Sequence, residues 1–359
     1  QSDKVSAFAV SSIFGVRNPQ HELCLRDLVS RLVDKPVTCG HELSTDLDAP
    51  RRALTTALNA RMIPVIRELI VAVQEILRQR EIEAPLMIVK GDGSLVNTET
   101  ALQQPVGTVL SGPAASVIGA CALSGLNNAL VADMGGTTTD IAVVNQGQAE
   151  LGSDGVLIGE WKPRVEAIRV ISVGLGGDSE VRFSGASGLQ IGPRRAAPLS
   201  LLGHQYPAVK QALRRQLSAD PSRRNNRFAL PLEANEVLLS ACSPAERRAW
   251  DTVSLAPVEL DEVVNRDQGL ARALGRLQRK GMVMYSGFTP SDAAHVLGLC
   301  DHWCRESAEL AALIWARQMR RVYGLGRWQE GDAVTPSRHV FERVSQLISR
   351  ALIEAGLHQ

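Results

Sequence analysis

The stretch Leu130 to Val144, LVADMGGTTTDIAVV, constrains this chain more than any other. Two apolar runs flank Gly135-Gly136 and three threonines, and an aspartate stands at the inner end of each run, Asp133 and Asp140. Glycine accepts positive φ and carries no side chain, so a sharp turn forms here and its N–H groups can approach an anion closely. The chain is therefore expected to fold back as a hairpin over Leu130–Met134 and Thr137–Val144. The tip would collect two carboxylates and the hydroxyls of Thr137, Thr138 and Thr139. Amides and hydroxyls suit phosphate oxygens, and carboxylates suit metal-bound water, so the tip is fitted for polyphosphate with Mg²⁺. The plain alternative is a tight hairpin whose polar residues only cap it.

A second glycine cluster, Val173-Gly174-Leu175-Gly176-Gly177-Asp178-Ser179, follows another apolar strand, Ile168–Val173. It reads either as a flexible turn or as a second loop facing the same ligand. Ser111-Gly112-Pro113-Ala114-Ala115 opens a small-residue helix that could face an anion or serve close packing. Neither a GxxxxGK[ST] loop nor a GxGxxG fingerprint opening a βαβ unit is present.

Around these motifs, strands and helices alternate. Val5–Ile13 reads as a strand, His21–Leu32 as a helix and Val37–Gly40 as a strand. Asp48–Gln79 reads as a long helix with an apolar stripe Leu54, Leu58, Met62, Val65, Leu69, Val73 and Ile76, which Pro64 would kink. Leu86–Lys90 and Val106–Leu110 are expected strands. From Tyr206 to Lys280 helical patterns dominate, Met282–Ser286 closes that region as a strand, and Thr289-Pro290-Ser291-Asp292 has the residues of a helix start. With 30 glycines and 4% aromatics, the pattern is α/β. At 359 residues the expected segments are 1–125, 126–205, 206–285 and 286–359, the third a mainly helical, winged-helix-like insertion.

The formal charge of +1 gives no whole-chain pull toward nucleic acid or an acidic membrane. No apolar run approaches the ~18 residues of a membrane span. Six cysteines in a chain this long fit reduced thiols in a cytoplasmic protein better than a disulfide framework. Cys300, Cys304, His295 and His302 look like metal-ligand material, but on a straight helix His302 would face away from Cys300, which favours packing. His21, His295 and His302 are read as structural.

DMGGTTTDIAVV resembles a phosphate loop of the acetate kinase/Hsp70/actin superfamily. His41–Ile66, Val106–Ala120, Val173–Val181 and Gly287–Gly298 narrow this: HELSTDLDAPRRALTTALNARMIPVI, VGTVLSGPAASVIGA, VGLGGDSEV and GFTPSDAAHVLG are similar to the hydantoinase A/5-oxoprolinase family. The resemblance implies a ribonuclease H-like, actin/Hsp70-type mixed-sheet domain with a mainly helical subdomain. It implies an ATP- and Mg-dependent hydrolase that opens a cyclic amide, 5-oxoproline or an N-substituted hydantoin, by phosphorylating its carbonyl; relatives carboxylate small ketones. By the match, Asp133, Gly135, Gly136, Thr137, Thr138, Thr139 and Asp140 are nucleotide-site residues, with Asp133 and Asp140 toward Mg through water. Gly176, Gly177, Asp178 and Ser179 would line the same cleft, and no catalytic residue carries over. A B-type subunit is the implied partner, an oligomer is compatible, and nucleic acid and membrane are not expected. Members carry an earlier D-x-G-G-T loop and continue further, so the chain resembles the middle of such a subunit.

Two other readings compete. Ser243 to Tyr285 runs helix, helix, helix, strand, with Arg272, Arg276, Arg279 and Lys280 clustered at the third helix, as in a DNA-binding winged helix. The chain could also be a relative that keeps the ATPase fold without the chemistry.

Overall fold

A computed structural model describes residues 5–152, 160–184, 188–232, 234, 236–324, 329 and 331–357. They form an α/β protein of helices and small mixed sheets. The chain divides into two compact units, one holding 5–133 and 140–171, the other 134–139 and 172–357.

The first unit contains the parallel pair Phe8–Val10 and Val37–Cys39, the hairpin Met87–Val89/Leu95–Asn97, and most of a four-stranded sheet. In that sheet Thr139–Asn145 pairs with Ala129–Met134 and Gln148–Ala149, and Val170–Val173 also pairs with it. Ala114 and Val117 of helix Ser111–Ser124 pack with Ala142, Val144 and Ile168 in its core.

The long helix runs Ala49–Gln79, with Asp48 accepting a hydrogen bond from the Arg51 amide at 3.2 Å and Pro50 in the first turn. Its apolar stripe is not its buried face. Val65, Leu69 and Ile76 are more than half exposed, while Arg52, Thr55, Thr56 and Asn59 are fully buried. A buried polar face is stable only when its groups find partners, and these do with the exception of Arg52 Nε. Asn59 Nδ2 donates to Thr38 Oγ1 and the Gln103 carbonyl, and its Oδ1 accepts from the Val106 amide, all at 2.9–3.0 Å. Arg52 donates to the carbonyls of Ser12, Ile13 and Asp46. Near Asn59, the expected strand Val106–Leu110 is instead a 3₁₀ turn, Pro105–Thr108. Proline at its first position and glycine within it favour a turn over a ladder.

In the second unit, helices Leu199–Gln205, Pro207–Ser218, Pro290–Val296, Arg305–Arg321 and Val334–Leu357 surround one core with the hairpin Ser179–Ser184/Gly188–Arg195. A mixed sheet orders Ala197–Pro198, Val283–Gly287, Phe228–Pro231 and Val258–Glu259. Thr289 and Asp292 form the capping box that the sequence suggests. Asp292 is fully buried and does more than cap. Its oxygens also accept from the amides of Leu199 and Ser200 and from the Ser200 hydroxyl, tying two helix starts together.

The helical region keeps the order helix, helix, helix, strand over Pro244–Leu255, Leu260–Arg266, Gln268–Arg279 and Val283–Gly287. No wing follows, however. The closing strand pairs backward, antiparallel with Phe228–Pro231, and the chain then enters the Thr289-capped helix. The basic cluster is partly tied inward, with Arg276 and Lys280 both on the buried Glu246 carboxylate. That network holds Glu246 at a pKa of about 2, chiefly through the Ser243 amide and Lys280. Among the described residues no helix is long and apolar enough to cross a membrane.

Candidate functional site

Residues 134–139 and 172–179 meet within the second unit. The Gly177 amide donates to the Gly135 carbonyl at 3.0 Å, and the Asp178 amide donates to the Gly136 carbonyl at 2.7 Å. The Gly135 amide closes the turn onto the Thr138 carbonyl at 2.9 Å. The two glycine clusters thus form one backbone lattice.

Glycine is required at the contact. A Cβ on Gly176 would lie 2.5 Å from the Gly136 carbonyl, and one on Gly136 would lie 2.8 Å from Asp178 Oδ2. The first contact is with main chain, which would have to move, and the second is with a side-chain carboxylate, which would have to turn away. The Asp178 carboxylate therefore sits directly over the turn. Burial pushes its pKa up, and Arg195, donating at 3.0 and 3.2 Å, pulls it back down.

Two hydroxyls brace the lattice. The buried Thr139 hydroxyl donates to the Leu175 carbonyl at 2.6 Å, and the Ser179 hydroxyl accepts from the Gly176 amide at 2.9 Å. The Ser291 amide donates to the Gly177 carbonyl at 2.9 Å, fixing the loop to the start of helix Pro290–Val296. What the lattice leaves open is specific. Among the described residues no group accepts from the amides of Gly136, Thr137 or Thr138, and Gly135 to Thr137 are exposed. Three consecutive unpaired N–H groups at a turn form a concave donor set suited to an anion. Asp133 is exposed and Asp140 half-buried, at the ends of the two strands that carry the turn.

The third glycine motif differs. A Cβ on Gly112 would meet nothing within 4 Å, so close packing does not explain it. Arg195 was not legible in advance. It reaches Asp178 from 17 residues away across a hairpin, and no spacing rule marks it.

The histidine–cysteine cluster also departs from expectation. The helix ends at Val296, so residues 297–304 are not a helical extension, and the nitrogens and sulfur of His295, His302 and Cys300 come within 4.8 Å of one another. His295 is nevertheless saturated, with Nδ1 2.7 Å from the Ser291 carbonyl and Nε2 accepting from the Trp303 amide at 3.2 Å. Neither nitrogen keeps a lone pair for an ion, and its ring stacks on Trp303. Packing is its role.

The chain is similar to several known proteins. Residues 52–209 match the family model for hydantoinase/oxoprolinase. Over 200 residues the chain is 30% identical to the caprolactamase subunit alpha of Pseudomonas jessenii, covering 55% of this chain and 29% of that one. Over 205 residues it is 28% identical to the acetophenone carboxylase gamma subunit of Aromatoleum aromaticum, covering 54% and 28%. The chain thus spans less than a third of these relatives. A nucleotide-free structure of acetone carboxylase, an enzyme of ATP-dependent acetone carboxylation, shares the fold. It matches 98% of this chain and 40% of its own, with TM-score 0.55 and 16% identity.

Proposed function

We propose that this chain, which belongs to the hydantoinase/oxoprolinase family through residues 52–209, supplies one wall of the nucleotide site of an ATP-dependent enzyme that opens a cyclic amide. The observation that carries this reading is the row of unpaired amides at Gly136, Thr137 and Thr138, held by a second glycine loop.

The residues suit ATP with Mg²⁺. Backbone donors and the hydroxyls of Thr137 and Thr138 match phosphate oxygens, and Asp133 and Asp140 offer the hard oxygens that Mg²⁺ takes through water. ATP, when bound, supplies a phosphoryl group that makes the ring carbonyl carbon more electrophilic. The chain's part is positioning. Gly135, Gly136, Gly176 and Gly177 keep the turn close to the ligand, while Thr139 and Ser179 stiffen it from behind. Asp178, anchored by Arg195, sets the negative wall of the same turn. A preformed donor set needs no reorganisation when charge develops. The ring best fitted to this reading is 5-oxoproline or an N-substituted hydantoin. The fold is read as ribonuclease H-like, the setting as cytoplasmic, and the working enzyme as an oligomer with a B-type subunit.

The test is thermal unfolding of the full subunit with Mg·ATP. Saturation at about 100 times Kd stabilises a binding protein by about 2.7 kcal/mol, and Asp133→Ala is expected to abolish that gain. ATP-dependent ring opening of 5-oxoproline and N-methylhydantoin by the subunit with its partner completes the test. An Asp133→Ala protein that keeps the full shift would remove the assigned role.

A further inference from the structure

A second built site lies within the first unit, around His41, which opens the string His41–Ile66 but to which the sequence alone gives no role. Glu22, on helix Gln20–Leu32, is fully buried. Its Oε1 accepts from the Ser12 amide at 2.7 Å and the Ser12 hydroxyl at 3.1 Å. Its Oε2 accepts from the His41 amide at 2.9 Å and contacts His41 Nδ1 at 2.7 Å. Burial alone would raise the carboxyl pKa, but these hydrogen bonds from His41 and Ser12 hold it below the ordinary value. Glu22 is therefore an ionised carboxylate, which can only accept. It follows that His41 Nδ1 carries the hydrogen, and Nε2, for which the described residues supply no partner, is the ring's remaining polar atom, an acceptor in the Nδ1–H tautomer.

The surroundings are shaped for this contact. A Cβ on Gly15 would lie 2.2 Å from Glu22 Oε1, and one on Gly40 would lie 2.8 Å from Ser11 Oγ, so both turns close in because they lack side chains. Arg52 holds the Ser12 and Ile13 carbonyls, which fixes the loop that presents the Ser12 donors. Four donors saturate Glu22, and Cys39, held as a thiol with its pKa raised to about 11 chiefly by burial, donates to the Glu22 carbonyl. The cluster is thus closed on itself and is not a metal centre.

His41 lines a cavity of about 610 Å³, together with Ser44, Lys90, Gln104, Arg164 and Glu166. That volume suits a small organic ligand. Its cations are already matched, Lys90 by Asp92 at 2.7 Å and Arg164 by Asp46 at 3.1 Å. With both cations matched and the carboxylates of Glu42 and Glu166 also on the wall, the cavity disfavours an anion, and a bare ring nitrogen there suits a neutral ligand carrying an N–H donor.

We propose that this cavity binds a small neutral cyclic amide, with its N–H donated to His41 Nε2 and with Glu22 as the positioning residue that fixes the ring. The identity of the ligand rests on the cyclic-amide reading above; the site itself rests on the Glu22–His41 geometry.

The experiment uses the full chain labelled with ¹⁵N-histidine, with His41→Gln assigning the His41 signals. Long-range ¹H–¹⁵N correlation is expected to show the Nδ1–H tautomer. Titration with 2-pyrrolidinone or N-methylhydantoin, neutral cyclic amides that each keep an N–H, is expected to shift the Nε2 signal saturably and leave His204 unmoved. His41→Gln is expected to weaken binding of the same probes at least tenfold in ligand-observed spectra. Glu22→Gln is expected to lose the single tautomer; if it fails to fold, His41→Gln carries the test. An Nε2–H tautomer, or an Nε2 signal indifferent to both probes, would overturn the proposal. If ATP-dependent ring opening persists in that case, the site has failed and the enzymatic reading stands. A saturable Nε2 shift in a protein without ring opening would uphold the site and sink that reading.

Discussion

The turn at Gly135–Thr138 and the pocket at Glu22–His41 solve similar problems with opposite materials. The first is built from backbone: two glycine loops exchange amide–carbonyl bonds and leave three donors facing out. The second is built from side chains: a buried carboxylate gathers four donors and fixes a histidine ring that lines a cavity. A backbone site depends on the absence of a Cβ, so its weak points are glycines. A side-chain site depends on charge satisfaction, so its weak point is the carboxylate. Substitutions should therefore break the two in different ways.

The largest expected effect is at the side-chain site. Glu22→Ala leaves the Ser12 and His41 donors without their acceptor in a buried place. Each buried donor left unsatisfied in this way costs about 1–3 kcal/mol, and several lose their acceptor at once. Amide hydrogen exchange is the measurement, and the expected result is lost protection across Gln20–Leu32 and Val37–Cys39. Retained protection there would show that Glu22 does not hold the pocket together.

Next in size is the backbone site. Gly176→Ala places a methyl group 2.5 Å from the Gly136 carbonyl, against main chain that cannot rotate away. Overpacking of this kind costs about 1–3 kcal/mol. Chemical denaturation should register that loss, and exchange protection should fall at Ser179–Ser184. A neutral Gly176→Ala would mean the two loops can separate, and the contrast between rigid turn and rigid carboxylate would fail.

The two sites also differ in what the sequence discloses. The backbone site was legible because its parts are contiguous strings, GGTTT and GLGGDS, and because glycine between apolar strands has few meanings. The Glu22 network was not: His41 and Arg52 lie in the string His41–Ile66, but Ser12 and Glu22 stand outside every motif, and nothing in the string says that a buried carboxylate gathers them. The long helix Ala49–Gln79 misled for the same reason. Its hydropathy stripe pointed at Val65, Leu69 and Ile76, whereas polar residues such as Asn59 take the buried face by satisfying every hydrogen bond. Periodicity records apolarity, and a polar core defeats it. Phe228–Pro231 was hidden differently, as four residues inside a helical stretch, made a strand by pairing with Val283–Gly287.

Acid should separate the sites as well. Glu22 is held below its ordinary 4.5, so its contribution is complete above that pH and is lost as pH falls through its folded pKa. Asp178 is pushed above its ordinary 3.8 by burial, so its contribution is present below 3.8 and is lost as pH rises through its folded pKa. Acidification from neutral pH into that range should therefore weaken Gln20–Leu32 before Ser179–Ser184. Exchange protection, corrected for intrinsic rates, is the readout, and loss in the reverse order would contradict the assignment of opposite shifts.

The smallest expected effect tests whether glycine at a motif means a site at all. Gly112 belongs to a glycine motif at a helix start, yet a Cβ there meets nothing within 4 Å. Alanine at an unstrained helical position lowers the entropy of the unfolded chain, and Gly112→Ala should stabilise the protein by about 0.4–1 kcal/mol. A modest rise in denaturation midpoint with unchanged Mg·ATP stabilisation would place Gly112 outside the nucleotide turn. A loss of that stabilisation without a loss of fold would instead make this helix start a third part of the backbone-built site, whose glycine is kept for a ligand's approach and not for the protein's own packing.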